Sequence, residues 1–159
     1  MAWGISMFSG EEIVEIALQI EESGKEFYEK ALDYAESDKV KKALAYLAKE
    51  EEEHIITFSE LGKELKGNFR PNEQYVGEYG DYVKSLVNSH IFNMSKVKDL
   101  VKEIKSDKDI LRFALSFEKD SIVIFQEFKN AANKQGAELL EKLINEEKEH
   151  IKKINELFG

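Results

Sequence analysis

Four long stretches of the chain carry apolar residues three and four positions apart, the spacing that places them on one face of an α-helix. The Ser-Gly-Glu-Glu sequence at residues 9–12 has the form of a capping box, so we expect a first helix over roughly residues 10–35. Ser37 and Asp38 supply a break and a cap for a second helix. So short a turn predicts that the two helices pack as antiparallel neighbours. Their apolar faces consist of Ile13, Ile16, Ala17, Ile20, Gly24, Phe27 and Tyr28, and of Leu44, Leu47, Ala48, Ile55, Phe58 and Leu61.

A second pair of helices follows in the last third of the chain. Ser106 or Asp107 caps the third helix, and Gly136 predicts its C-terminal stop. The fourth helix then continues towards residue 158. The inward positions of this pair are Ile110, Ala114, Phe117, Ile122, Phe125 and Phe128, and Leu139, Leu140, Leu143, Ile144, Ile151, Ile154 and Leu157.

The segment between the two pairs is interrupted by three glycines and the single proline, Pro71, but it contains a helical repeat of its own at Val97, Leu100, Val101 and Ile104. The pattern predicts an all-α protein, a four-helix bundle in which two antiparallel hairpins are joined by a long crossover containing short helices. We expect one domain over 1–159, with the first hairpin at about 10–65, the crossover at about 66–106 and the second hairpin at about 107–158.

Composition excludes several classes of function. The net charge of −9 argues against nucleic acid and against an anionic membrane surface as partners, since both require a basic face. The absence of cysteine removes disulfides, zinc-thiolate sites, thiol nucleophiles and iron–sulfur clusters. The sequence also has no apolar run long enough to cross a membrane and no leader-like start, so we expect a cytoplasmic protein.

The two predicted hairpins carry the same constellation of polar residues. Glu21 is followed by the Glu-x-x-His motif of Glu51 and His54, and Glu118 is followed by the same motif at residues 147–150, which ends in Glu147 and His150. Superposing Glu21 on Glu118 also aligns the apolar positions around them, and the second motif needs an offset that differs by one residue. Each half resembles a copy of one ancestral hairpin, which would bring the matched residues together at the centre of the bundle.

These carboxylates interrupt apolar faces. Burial of an unpaired carboxylate costs on the order of several kcal/mol of folding free energy. No lysine or arginine shares those faces at the same level, whereas two divalent cations balance four carboxylates. Positions i and i+3 of a helix project from one side, so each Glu-x-x-His motif can offer both its ligands to one site. Oxygen and imidazole ligands suit iron or manganese, with zinc as an alternative. We predict that Glu51 and Glu147 bridge two metal ions, that His54 and His150 each bind one, and that Glu21 and Glu118 are terminal ligands.

The competing interpretation is that a glutamate-rich helix face is simply solvated. It does not explain why both histidines fall at matching places in the repeat. We assign the neighbouring acids Glu50, Glu52, Glu53, Glu146 and Glu149 to the surface, and His90 to the crossover. Tyr28 lies two turns beyond Glu21; core packing is favoured over a hydrogen bond to a ligand, because the matching residue, Phe125, has no hydroxyl. The other aromatic residues to place are Trp3 and the crossover tyrosines Tyr75, Tyr79 and Tyr82. Packing is their simplest role, although an aromatic cluster over a metal site could also gate access to it.

As a set, four segments resemble the rubrerythrin branch of the ferritin-like superfamily: Ile-Glu-Glu-x-Gly-x-x-Phe-Tyr at 20–28, Glu-x-x-His at 51–54, Phe-Glu-Lys-Asp-Ser-Ile at 117–122 and Glu-x-x-His at 147–150. The resemblance implies a ferritin-like fold, two iron ions, and reduction of hydrogen peroxide or oxidation of ferrous iron by dioxygen. It also implies a homodimer in which helices can be exchanged.

Two departures from that family pattern bear on activity. Rubrerythrins proper carry a four-cysteine rubredoxin-like iron site, and this chain has no cysteine, so electrons would come from a separate donor protein such as a rubredoxin. The typical peroxidase has a further carboxylate one turn after the third-helix glutamate, where this chain has Ser121. The sequence therefore leaves three hypotheses: a di-iron oxidoreductase, a non-catalytic protein for iron storage, buffering or sensing, and a helical interaction protein with vestigial carboxylates.

Overall fold

Four long helices and two short ones make up the part of the chain that the computed structural model describes, residues 10–65, 78–89, 96–132 and 134–159. They are α1 Gly10–Ala31, α2 Asp38–Leu65, α3 Glu78–Ser89, α4 Val97–Lys102, α5 Asp107–Ala131 and α6 Lys134–Glu156. Helices α1 and α2 pack as one hairpin and α5 and α6 as the other, while α3 and α4, within the crossover, lie against α5 and α1. The predicted all-α bundle of two hairpins is confirmed. His90, Trp3 and Tyr75 lie outside the described residues, as does the side chain of Tyr79.

Two of the predicted caps are confirmed and two predicted helix ends are wrong, while Ser9 of the first predicted cap lies outside the described residues. Ser37 Oγ accepts a hydrogen bond from the Val40 amide at 3.2 Å, and Ser106 caps α5 by accepting from the Asp109 amide at 3.4 Å. The first helix, however, ends at Ala31 rather than near residue 35 and continues as a turn. The predicted stop at Gly136 is also wrong: α5 ends at Ala131, and Gly136 lies buried in the first turn of α6.

Apolar faces of the four long helices form the core, as their spacing predicts. Nearly all the predicted inward positions are buried, and Ile55, Ile122, Leu139, Ile151 and Leu157 are partly exposed. Gly24 has a specific role in this packing. A Cβ atom at this position would lie 2.3 Å from Cζ of Phe117, so the aromatic ring of α5 occupies the space that any larger residue on α1 would need.

A polar contact joins the two hairpins at one end of the bundle. Both carboxylate oxygens of Asp107, the first residue of α5, accept hydrogen bonds from the loop between α1 and α2, from the amides of Glu36 at 2.8 Å and Ser37 at 3.0 Å.

On the crossover, α4 buries Val97 and Val101 in the core beside α1. The crossover therefore adds to the core as well as connecting the two hairpins.

Candidate metal centre

The structure brings all six residues of the predicted constellation together in the middle of the bundle. Glu21 on α1, Glu51 on α2, Glu118 on α5 and Glu147 on α6 have no exposed surface (0 % each), and His54 and His150 are 2 % exposed. Their ligand atoms form two overlapping groups, each within a sphere that one cation could occupy: Glu21, Glu51, His54 and Glu147, and Glu51, Glu118, Glu147 and His150. Glu51 and Glu147 belong to both groups, and the other four residues divide equally between them. This is the arrangement expected of two bridging and two terminal carboxylates.

His54 turns one ring nitrogen towards this cluster and the other away from it. Its Nδ1 atom lies 2.9 Å from Glu147 Oε1, 3.0 Å from Glu21 Oε2 and 3.7 Å from Glu51 Oε2. Its Nε2 atom lies 2.7 Å from Glu146 Oε2, a hydrogen bond to a carboxylate on the opposite hairpin. An Nε2–H group that donates to this carboxylate leaves the Nδ1 lone pair free to face a metal ion.

His150 has the matching orientation with longer contacts. Its Nδ1 atom lies 3.3 Å from Glu147 Oε2, 3.4 Å from Glu118 Oε1 and 3.7 Å from Glu51 Oε1. Its Nε2 atom lies 3.7 Å from Glu50 Oε2, which is too far for a hydrogen bond. The two imidazole rings are stacked, with centroids 5.6 Å apart and planes 19° from parallel. Both therefore face the carboxylate cluster through Nδ1.

The carboxylates lack the hydrogen bonds that buried oxygens need. Among the described residues, six of their oxygen atoms form no hydrogen bond of acceptable geometry, although the two imidazoles lie within 4.0 Å of the cluster: Glu21 Oε1, both oxygens of Glu51, Glu118 Oε2 and both oxygens of Glu147; the Nδ1 atom of His150 forms none either. Buried polar atoms in folded proteins almost always have partners. In the same part of the chain, the cationic groups within 4.0 Å of these carboxylates are the two histidines alone. Four negative charges and two neutral imidazoles fit two divalent cations in charge and in donor chemistry.

The proton affinities of the cluster reflect the same lack of compensation. Burial, followed by the charge of Glu147, raises the pKa of Glu21, and burial with the charges of Glu147 and Glu21 raises the pKa of Glu51 well above its ordinary value. The pKa of His54 is raised because hydrogen bonds to Glu147, Glu21 and Glu51 outweigh burial, which acts in the opposite direction. Burial also opposes ionisation of Glu147, but hydrogen bonds with His150 and His54 lower its pKa. In the metal-free chain these shifts favour the protonated forms of Glu21, Glu51 and His54 and the charged form of Glu147.

Tyr28 reaches the cluster from the first hairpin. Its hydroxyl donates a 2.6 Å hydrogen bond to Glu118 Oε1, and the whole side chain is buried. The preference for simple core packing is therefore wrong, and the alternative, a hydrogen bond to a ligating carboxylate, is what the structure shows. The sequence comparison matched Tyr28 with Phe125 but could not show that the hydroxyl crosses to the other hairpin.

Two of the acids assigned to the surface also belong to the centre. Glu146 and Glu50 are half-buried and face the outer nitrogens of His54 and His150, whereas Glu52, Glu53 and Glu149 are exposed as predicted. Each directly precedes a predicted bridging glutamate, so the two occupy equivalent places in the repeat. That equivalence was a signal in the sequence. The run of four glutamates at 50–53 masked it, because three of its four positions have an acidic counterpart in the second hairpin.

Comparisons with known proteins bear on the family and the fold. The protein-family model described as Rubrerythrin matches residues 12–100 and 109–159. An uncharacterized protein of Archaeoglobus fulgidus is 41% identical over 51 residues, which are 32% of this chain and 81% of that protein. The fold matches the crystal structure of a Thermotoga maritima protein described as ferritin-like and diiron-carboxylate, with a TM-score of 0.66, 24% identity, and coverage of 94% of this chain and 93% of that one. No helix within the described residues is long and apolar enough to span a bilayer.

Proposed function

The chain belongs to the rubrerythrin family, and from that premise we propose that it is a di-iron oxidoreductase that reduces hydrogen peroxide or reacts with dioxygen. Its electrons would come from a separate donor protein, since the sequence has no cysteine to build a rubredoxin-like site. The observation that carries the proposal is the centre itself, in which four fully buried carboxylates share two histidines and have no other cation among the described residues. The homodimer expected from the family stays a prediction.

Six residues would hold the two ions. Glu51 and Glu147 would bridge them, Glu21 and His54 would complete one position, and Glu118 and His150 the other, as the two overlapping groups indicate. Bound iron would supply the electrons and the open coordination positions that oxygen chemistry needs.

The protein contributes position and field. The Tyr28 hydroxyl fixes the orientation of Glu118, and Glu146 fixes the ring of His54. The four carboxylates have no exposed surface, so bulk water does not reach them, and the same helices carry the fully buried rings of Phe58, Phe117 and Phe125.

A second function, metal storage or buffering without turnover, is favoured by one specific observation. Ser121 occupies the place at which a family peroxidase has its additional carboxylate. It is fully buried, and its hydroxyl donates to the Phe117 carbonyl at 2.8 Å, a bond within its own helix. Ser121 thus supplies no carboxylate that could exchange with a neighbouring ligand during a reaction. The ligands needed to hold metal are unaffected.

Rapid mixing distinguishes the two functions. Protein loaded anaerobically with ferrous iron is mixed with hydrogen peroxide, and formation of ferric iron is followed by absorbance. We expect about two iron ions per chain, oxidised well before free ferrous iron under the same conditions. Glu51→Ala and His54→Ala should lower the iron content, whereas Glu52→Ala, an exposed neighbour, should not. Stoichiometric binding with oxidation no faster than that of free iron would favour storage, and binding of less than one ion per chain would contradict both functions.

A further inference from the structure

A surface depression between α2 and α6 leads to one side of the metal centre. Its floor includes the edge of the otherwise buried His150, and the ring of Tyr46 stands against that imidazole, with centroids 6.3 Å apart and planes at 84°. The ammonium group of Lys153 lies 3.8 Å from the centroid of the same tyrosine ring. The tyrosine is thus held between a predicted ligand and a lysine, although 41 % of it is exposed. The residues that line the depression are Tyr46, Glu149, His150, Lys152, Lys153 and Glu156.

The two histidines are covered in different ways. The carboxylate of Glu146 accepts a 2.7 Å hydrogen bond from His54 Nε2 and covers the outer side of that ring. The outer nitrogen of His150 is 3.7 Å from its nearest carboxylate, and an aromatic ring with no hydrogen bond to it stands in front. In the second half of the repeat, the position equivalent to Tyr46 is Lys142, which is exposed. Among the residues that the structure describes, the side of the centre near His150 therefore differs from the side near His54 in combining a loose polar contact with an aromatic cover.

We propose that this depression is the entrance through which metal ions reach and leave the centre, and that Tyr46 is its movable cover, held closed by Lys153. The proposal rests on the proposed function, because it requires that the centre bind metal. Carboxylates are available to a cation along this path, because Glu149 and Glu156 line the depression and Glu50 Oε2 lies 3.7 Å from the outer nitrogen of His150. The ammonium group of Lys152 is paired with the carboxylate of Glu149 at 2.7 Å, which reduces its repulsion of an entering cation.

A cover of this kind makes a kinetic prediction that differs from that of a structural residue. Exposed side chains change rotamer in picoseconds to nanoseconds, so the open and closed positions are in rapid equilibrium on the timescale of metal exchange. Uptake and release then both scale with the open fraction, and the equilibrium affinity does not change. A residue that shapes the ligands would change the affinity instead.

The test measures cobalt(II) exchange on the full chain. Uptake is followed by absorbance in a stopped-flow instrument, release by a chase with excess chelator, and the dissociation constant by competition. We expect Tyr46→Ala to accelerate both rates by roughly fivefold or more, and Lys153→Gln by roughly two- to fivefold, the population change that an exposed cation–π contact can produce. Tyr46→Phe keeps the ring and should behave as the wild type. Tyr34→Ala, which removes an equally exposed tyrosine (42 %) from the loop between α1 and α2, should change neither rate.

The outcomes separate the two proposals. A wild-type chain that binds no cobalt overturns both the metal centre and its entrance. Two ions per chain with the same exchange rates in Tyr46→Ala, Lys153→Gln and the wild type overturn the entrance alone. A changed dissociation constant with only one altered rate also overturns it, because it assigns Tyr46 to shaping the ligands. Should Tyr46→Ala fail to fold, Lys153→Gln decides, since an exchange rate equal to the wild type would contradict the cover.

Discussion

Glu51→Gln should have opposite effects on the metal-free and metal-loaded protein. Glu51 has no exposed surface, neither of its oxygens has a hydrogen-bond partner among the described residues, and burial together with Glu147 and Glu21 raises its pKa well above 4.5. Glutamine keeps the shape and removes the charge. In the metal-free chain the substitution removes an unfavourable group, and in the loaded chain it removes a bridging ligand.

The magnitude follows from proton linkage. A group whose pKa is raised in the folded state contributes its stability fully below the unfolded value, and that contribution is lost as the pH rises through the folded value. At about pH 7.5, a carboxyl with an ordinary pKa of 4.5 that kept its proton throughout would cost about 4 kcal/mol, at 1.36 kcal/mol per pH unit, and this is the upper limit for Glu51. Because the amide needs partners of its own, we expect Glu51→Gln to stabilise the metal-free protein by about 2–4 kcal/mol at pH 7.5, and by much less near pH 4.5.

Urea unfolding followed by circular dichroism measures this effect, with chelator present for the metal-free form and with excess metal for the loaded form. Metal at one hundred times its dissociation constant stabilises the wild type by about 2.7 kcal/mol, and the variant should lose most of that increment. Glu52→Gln is the matched control, because this neighbour on the same helix is exposed and should change stability by less than about 0.5 kcal/mol. A metal-free Glu51→Gln protein that is no more stable than the wild type at pH 7.5, or a difference that is the same at both pH values, would refute the reasoning.

Three further results are expected. Tyr28→Phe removes the phenol that donates to Glu118 and should lower the unfolding free energy of the loaded protein by about 1–3 kcal/mol in urea, while Tyr34→Phe at the surface should not. Glu146→Gln weakens the hold on one predicted histidine ligand, so competition with a chelator should show a roughly 10- to 100-fold loss of metal affinity; equal losses in the exposed Glu149→Gln would argue against a specific role. Metal affinity should fall as the pH is lowered from about 8 to 5, because protons compete for the acids with raised pKa, and a calorimetric titration that shows no pH dependence would contradict the buried cluster.

Periodicity and spacing predicted much of this molecule because the physics behind them is local. Apolar residues three and four apart must face inward on a helix, and so the four long helices, the pairing of the hairpins and the inward position of Glu21 and its counterparts could all be read from one chain. The wrong helix end at Gly136 has a local origin too, since glycine is a common stop signal just past a helix, and this glycine lies instead in the first turn of the next helix.

Contacts between the hairpins could not be read in this way. The hydroxyl of Tyr28 meets Glu118, and Glu146 meets His54, only after the two halves have packed, at separations of 90 and 92 residues. Side-chain direction at that range depends on the crossing of the helices, which the sequence pattern does not fix. The same reason hides the edge-to-face contact of Tyr46 with His150.

The covalent linkage of the two hairpins has an evolutionary consequence. Two identical subunits that met around a twofold axis would have to present the same side chain to both metal positions, so no substitution could alter one without altering the other. In a fused chain that constraint no longer applies. In the alignment of the two halves, Tyr28 corresponds to Phe125 and Tyr46 corresponds to Lys142. The two candidate metal positions therefore have different neighbouring side chains. Selection acting on this chain can therefore change the side chains around one candidate metal position without changing those around the other.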